Sequence, residues 1–162
     1  MLKLILSSCA AIALIVALAL NQPAQQANAV GTPNMLTAGG AGVFPAGATF
    51  SGVQLAGGTF GIGVQTNSDG TAKGDLELQL NGNSPIGLSQ WITITGWITD
   101  GTVNTDGTMT LNGTCTVDMG DGTPPIGGLS LVASVSLTAV TVTVGSQVIP
   151  TLPKSDGWVF ID

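Results

Sequence analysis

Apolar and polar residues trade places at every second position along most of this chain. Between Gly58 and Asn81, Phe60, Ile62 and Val64 alternate with small or polar residues, and Leu76, Leu78 and Leu80 do the same. A period of two predicts strands with one buried face. Asn67-Ser68-Asp69-Gly70 stands between the two runs. Gly accepts positive φ, and Asn and Asp bond their own backbone in turns. The stretch is therefore a hairpin with both apolar sets on one side.

Later segments repeat the pattern. In Leu88–Thr99, Ile92, Ile94 and Ile98 share one face, while Trp91, Thr93, Thr95, Trp97 and Thr99 share the other. Asp100-Gly101 and Asp106-Gly107 read as turns on either side of a short Thr-Val-Asn piece. Thr108–Asp118 alternates without losing phase at Asn112-Gly113, so one continuous strand is expected there. Leu129–Thr138, Val140–Val144 and a short closing strand at Trp158–Asp162 follow, separated by Gly- and Pro-bearing turns. A first, irregular strand is expected around Phe50, Val53 and Leu55. No stretch after Leu20 carries a helical period. The prediction is an all-β domain: a single antiparallel β-sandwich or closed barrel of about eight strands.

The N-terminus is of a different kind. Lys3, the apolar run Leu4–Leu20 and a polar spacer ending in Ala27-Asn28-Ala29 match a secretory signal peptide. Residues 1–29 are read as that signal, a helix ahead of the β domain, with cleavage between Ala29 and Val30. An uncleaved membrane anchor is the alternative. Residues 30–47, rich in Gly and holding Pro33 and Pro45, read as a flexible arm. Residues 48–162 form the domain. The expected location is secreted or cell-surface, with no stable membrane insertion once the signal is gone.

Charge and composition narrow the function. The formal net charge is −6, from 3 basic and 9 acidic residues, with no His. The three basic residues are all lysines. That balance excludes a nucleic-acid footprint. Without His, the Ser–His–acid and Cys–His arrangements and the usual zinc sites are absent. Cys115, alone after the signal, falls on the apolar side of its strand and reads as a small core residue.

Four groups of residues remain as candidates. Trp91 and Trp97 share the face opposite the isoleucines, about 20 Å apart along the strand. Exposed, they would stack on a sugar or anchor a partner; buried, they are core. Five of the nine acids precede a glycine. The strongest case for calcium is Asp118 and Asp121 in Asp118-Met119-Gly120-Asp121-Gly122, although Asp-Gly is also ordinary turn chemistry. Asp75 and Glu77 lie two apart, about 7 Å, on one strand face. That suits an inverting glycosidase pair, yet nothing nearby desolvates either acid, and a solvated face explains both. The Thr-x-Thr pairs at 93–95, 108–110, 114–116 and 141–143 have no common spacing, so no ice-binding solenoid is indicated. A membrane barrel would turn its apolar face outward and carry aromatic girdles, which this chain, without Tyr, does not offer.

Thr59-Phe60-Gly61-Ile62-Gly63-Val64, with Asp69-Gly70-Thr71-Ala72-Lys73-Gly74 and a strand, resembles small secreted bacterial β-domains of unknown function. The resemblance implies export and a sandwich or barrel, with no catalytic residues. Val117-Asp118-Met119-Gly120-Asp121-Gly122-Thr123 is locally similar to polycystic-kidney-disease-type immunoglobulin-like domains. The expected function is a non-enzymatic secreted or cell-surface β module for binding, adhesion or structural assembly. Its partner would be an extracellular protein or glycan. The alternative is a glycan or small-ligand binding domain using Trp91 and Trp97.

Overall fold

The computed structural model describes residues 33–162. The expected signal peptide, residues 1–29, lies outside them. The described residues form ten strands in one antiparallel sheet: β1 (Met35–Val43), β2 (Thr49–Phe50), β3 (Val53–Thr66), β4 (Thr71–Asn83), β5 (Ser89–Val103), β6 (Met109–Asp118), β7 (Ile126–Val135), β8 (Ala139–Val144), β9 (Gln147–Val148) and β10 (Leu152–Ile161). The path β1-β10-β8-β7-β6-β5-β4-β3 closes on itself, because β1 also pairs β3. Eight strands thus make a barrel, and β2 and β9 are short additions to it. Of the two architectures the alternation allowed, the pairing is that of the barrel.

The strands are strongly staggered. A row of paired residues runs from Ile161 through Leu36, Val64, Gly74, Ile98, Gly113, Leu131 and Val144, and returns to the chain at the exposed Gln147. Stagger and tilt of this kind are what closing a sheet requires.

The alternation in the sequence maps onto inside and outside. Leu76, Leu78 and Leu80, Ile92, Ile94 and Ile98, and Val140, Val142 and Val144 all point inward and are buried. Cys115 joins them, as its strand phase predicts. The interior is filled by side chains, and glycine makes the space where they are largest. A Cβ on Gly96 would meet the Leu131 side chain, and one on Gly101 would meet Thr66 and Met109. Among the described residues two polar ones are buried, Thr66 and Gln90. Thr66 bonds the backbone of Asn34 and Gln90 that of Met119, and no buried side-chain N or O among the described residues lacks a partner.

Several boundaries differ from the sequence reading. Met35–Val43, inside the stretch read as a flexible arm, is a nine-residue strand set between β3 and β10. Its glycines and alanines hide the period-two pattern, and the partners on both sides supply the order that composition alone does not. Asp100-Gly101 is not a turn; β5 continues to Val103 with the dipeptide paired to Asn112 and Leu111 of β6, just past a bulge at Thr99. The closing strand begins at Leu152 rather than Trp158. Asn112-Gly113 lies inside the unbroken strand β6, as the alternation predicts.

Candidate functional site

The outer wall carries the polar half of the pattern, and the tryptophans with it. Trp91 is 64% exposed and Trp97 is 55% exposed. Inward isoleucines at 92, 94 and 98 fix this, since neighbouring positions on β5 must face opposite ways. The two rings have different surroundings. Trp97 stands between Asp75 of β4 and Thr114 of β6. Trp91 stands opposite Asn81 of β4, beside the loop after β6.

An open groove of about 480 Å³ runs along the wall at Trp91. Trp91 and Val43 are its bulky members, Gln79, Asn81 and Thr59 its polar ones, and Gly57 and Gly58 lie among them. The floor is low for a structural reason. A Cβ on Gly57 would lie 2.8 Å from the Gly42 carbonyl oxygen and 3.3 Å from Asn81 Oδ1. Only a residue without a side chain lets β1 and the Asn81 amide come so near. The Gln79 amide is oriented by Glu77, whose Oε1 accepts from Nε2 at 2.7 Å. Smaller depressions adjoin the groove at Thr59, Gly61 and Glu77 on one side and at Asn83, Ser89 and Gln90 on the other. An indole face beside two amides and a hydroxyl offers stacking plus hydrogen bonds to a polyhydroxylated ligand.

The structure brings Trp91 together with Gln79, Asn81 and Thr59, and leaves Trp97 outside that group. Sequence reasoning did not single out Gln79 or Asn81. A signal was present, since both lie on the polar side of the Leu76–Leu80 alternation. Only the β4–β5 register, however, shows that Asn81 meets Trp91.

Asp118 and Asp121 flank the loop behind Trp91. Gln90 Nε2 donates to the Met119 carbonyl at 2.7 Å and holds that loop on β5. Asp118 Oδ1 accepts from the Gly120 N–H, and Asp121 Oδ1 from the N–H and hydroxyl of Thr123. Each carboxylate therefore closes its own turn. Asp69 with Thr71 and Asp106 with Thr108 build the same contacts in the β3–β4 and β5–β6 loops. In all three loops the threonine hydroxyl, then its N–H, holds the aspartate below the usual carboxylate range. No group of three or more His, Cys, Asp or Glu that could hold a metal occurs among the described residues.

Asp75 and Glu77 are exposed on the outer face of β4. Cys115 is fully buried, and burial pushes its thiol pKa up, away from the thiolate a nucleophile requires. No protein-family model, curated protein or solved structure matches the chain.

Proposed function

We propose that this chain is a non-enzymatic β module, exported and water-facing, that works by binding at its outer wall. The observation that carries this reading is the division of the molecule into a filled interior and a wall with exposed tryptophans. A barrel packed with Leu, Ile and Val has no room for a ligand inside. Recognition is left to the outer surface, where Trp91 and Trp97 are the large rigid anchors that binding surfaces favour. The polar wall of Thr, Gln, Asn and Asp supports a barrel bathed in water, because a membrane barrel presents the reverse pattern. The Lys3–Ala29 pattern supports export.

A second reading is more specific: the groove at Trp91 takes a glycan. It is favoured by the indole, the amides of Gln79 and Asn81 and the Thr59 hydroxyl on one shallow surface. The test is binding to an array of surface polysaccharides, before and after Trp91→Ala and Asn81→Ala. Trp91→Ala should weaken binding about fivefold or more, given about 1–3 kcal/mol for stacking on an aromatic side chain. Trp97→Ala should leave glycan binding unchanged, and circular dichroism should show all three variants folded. Equal losses at Trp91 and Trp97 would point to a broad protein contact instead. No loss at either would remove the outer wall of β5 from the function.

A further inference from the structure

The depression beyond Gln79 differs in kind from the Trp91 groove that it adjoins. It measures about 230 Å³ and is lined by Thr59, Phe60, Gly61, Glu77 and Gln79. Thr59 and Gln79 also line the groove, so the two are one continuous surface. Strand register sets the floor. Gly61 of β3 pairs with Glu77 of β4, and a Cβ on Gly61 would meet nothing within 4 Å. No packing demand accounts for a glycine at this exposed strand position, where it lowers stability. Its bareness leaves open the space beside the Glu77 carboxylate.

The hydrogen bonds here are one-sided. A carboxylate only accepts, so its contact with Glu77 orients the Gln79 amide: Nε2 donates to Glu77 Oε1 at 2.7 Å. Two acceptors, Glu77 Oε2 and the Gln79 carbonyl oxygen, have no partner among the described residues. Among the described residues that line the groove and its two neighbours, Glu77 alone is charged. Lysines are distant or engaged. Lys73 stands four positions along β4, about 13 Å away, with Asp75 between. Lys154 Nζ donates to the Gly157 carbonyl at 3.1 Å. The chain as a whole carries a formal charge of −6. An acceptor-rich, negative surface selects a ligand group that donates and is positive.

We propose that the depression over Gly61 takes an amino-bearing sugar unit of a glycan whose neighbouring part stacks on Trp91. The ammonium of that unit sits on Glu77 and the Gln79 carbonyl. The inference rests on the glycan reading of the groove and adds the class of glycan, one with free amino groups. Glu77 lies four residues from Asn81, the partner of Trp91, or about 13 Å along β4. A single sugar does not reach both places, so the ligand is an oligomer. An anionic chain meets Glu77 with no cation to offset it, and a neutral chain leaves the carboxylate without an opposite charge.

Titration calorimetry of the full chain should compare hexamers of glucosamine and of N-acetylglucosamine at about pH 5.5, where carboxylates are ionised and sugar amines are charged. The glucosamine hexamer should bind about three- to fivefold more tightly in low salt, the worth of an exposed ion pair. Added salt should remove that advantage. Glu77→Gln keeps an acceptor for Gln79 and should erase the preference, with binding of the acetylated hexamer unchanged. Asp100→Asn removes the same charge elsewhere on the barrel and should preserve the preference. Gly61→Val fills the depression, so the preference should vanish while the barrel melts no lower. Should that variant unfold, Glu77→Gln decides instead. Equal binding of the two hexamers, or a preference for the acetylated one, with Trp91→Ala weakening both, overturns the inference and leaves the glycan reading standing. A preference that Asp100→Asn lowers as much as Glu77→Gln also overturns it, as general attraction to an acidic surface. A lysine peptide that binds at Glu77 and is indifferent to Trp91→Ala would assign the depression to a protein partner instead. Binding of neither hexamer overturns the inference too, and the polysaccharide array with the Trp91 variant then decides the glycan reading separately.

Discussion

A Cβ placed on Gly113 would lie 1.9 Å from the carbonyl oxygen of Trp97, whereas one on Gly61 meets nothing within 4 Å. Both glycines lie inside long strands, where glycine is entropically unfavourable. At Gly113 the close approach of β5, next to its bulge, leaves no alternative. Gly113→Ala should therefore cost about 1–3 kcal/mol, as overpacking does. Gly61→Ala should be neutral or stabilise by up to about 1 kcal/mol. Urea titration of the two variants separates them, and similar midpoints would mean that β5 and β6 do not approach as described. Gly61 faces outward, paired with Gly39 of β1. The Trp158 indole lies near Gly39, with Nε1 3.9 Å from where a Cβ would stand. The bare strip beside that ring is a property of the surface rather than of the core.

At the scale of elements, the loops carry the pH dependence. Asp69, Asp106 and Asp121 are held below the usual range by threonine hydroxyls and N–H groups. A carboxylate depressed in the folded state stabilises above its unfolded value, about 3.9, and that stabilisation is lost as pH falls through the folded values. Thermal melts should thus show stability dropping below about pH 4. The triple variant Asp69→Asn, Asp106→Asn, Asp121→Asn should show a shallower acid limb, and an identical limb would place the acid sensitivity elsewhere. These loops were legible as turns because Asp-Gly-Thr encodes its own hydrogen bonds within a few residues. The β3–β4 hairpin was legible for a similar reason, with a clear turn and two clean alternations. β1 was not, because Gly39, Gly40 and Gly42 erase the alternation, and its order comes from strands far away in sequence. Asp100-Gly101 misled in the opposite sense, since Asp-Gly is common in turns but is held here in the β5–β6 ladder, beside a bulge at Thr99. The candidate site was half visible. Alternation put Trp91 and Trp97 on one face, but which face met water, and that Asn81 lies beside Trp91, depended on pairings between strands.

For the whole molecule, closure rests on β1. Leu36 is fully buried and sits between Ile161 and Val64 on the two strands it joins. Leu36→Ala should lower global stability by about 2–5 kcal/mol, read from the urea midpoint and slope. A loss near zero would return residues 30–47 to the loose arm that their composition suggests. The partner of β1 across the seam is the last strand in the described chain. Every earlier strand therefore waits with one side of the cylinder missing until Leu152–Ile161 is in place. Contacts of that sequence span form slowly, so the half-built cylinder spends its longest moments exposed to chaperones and proteases. The speed with which β10 is delivered then governs the yield of intact protein.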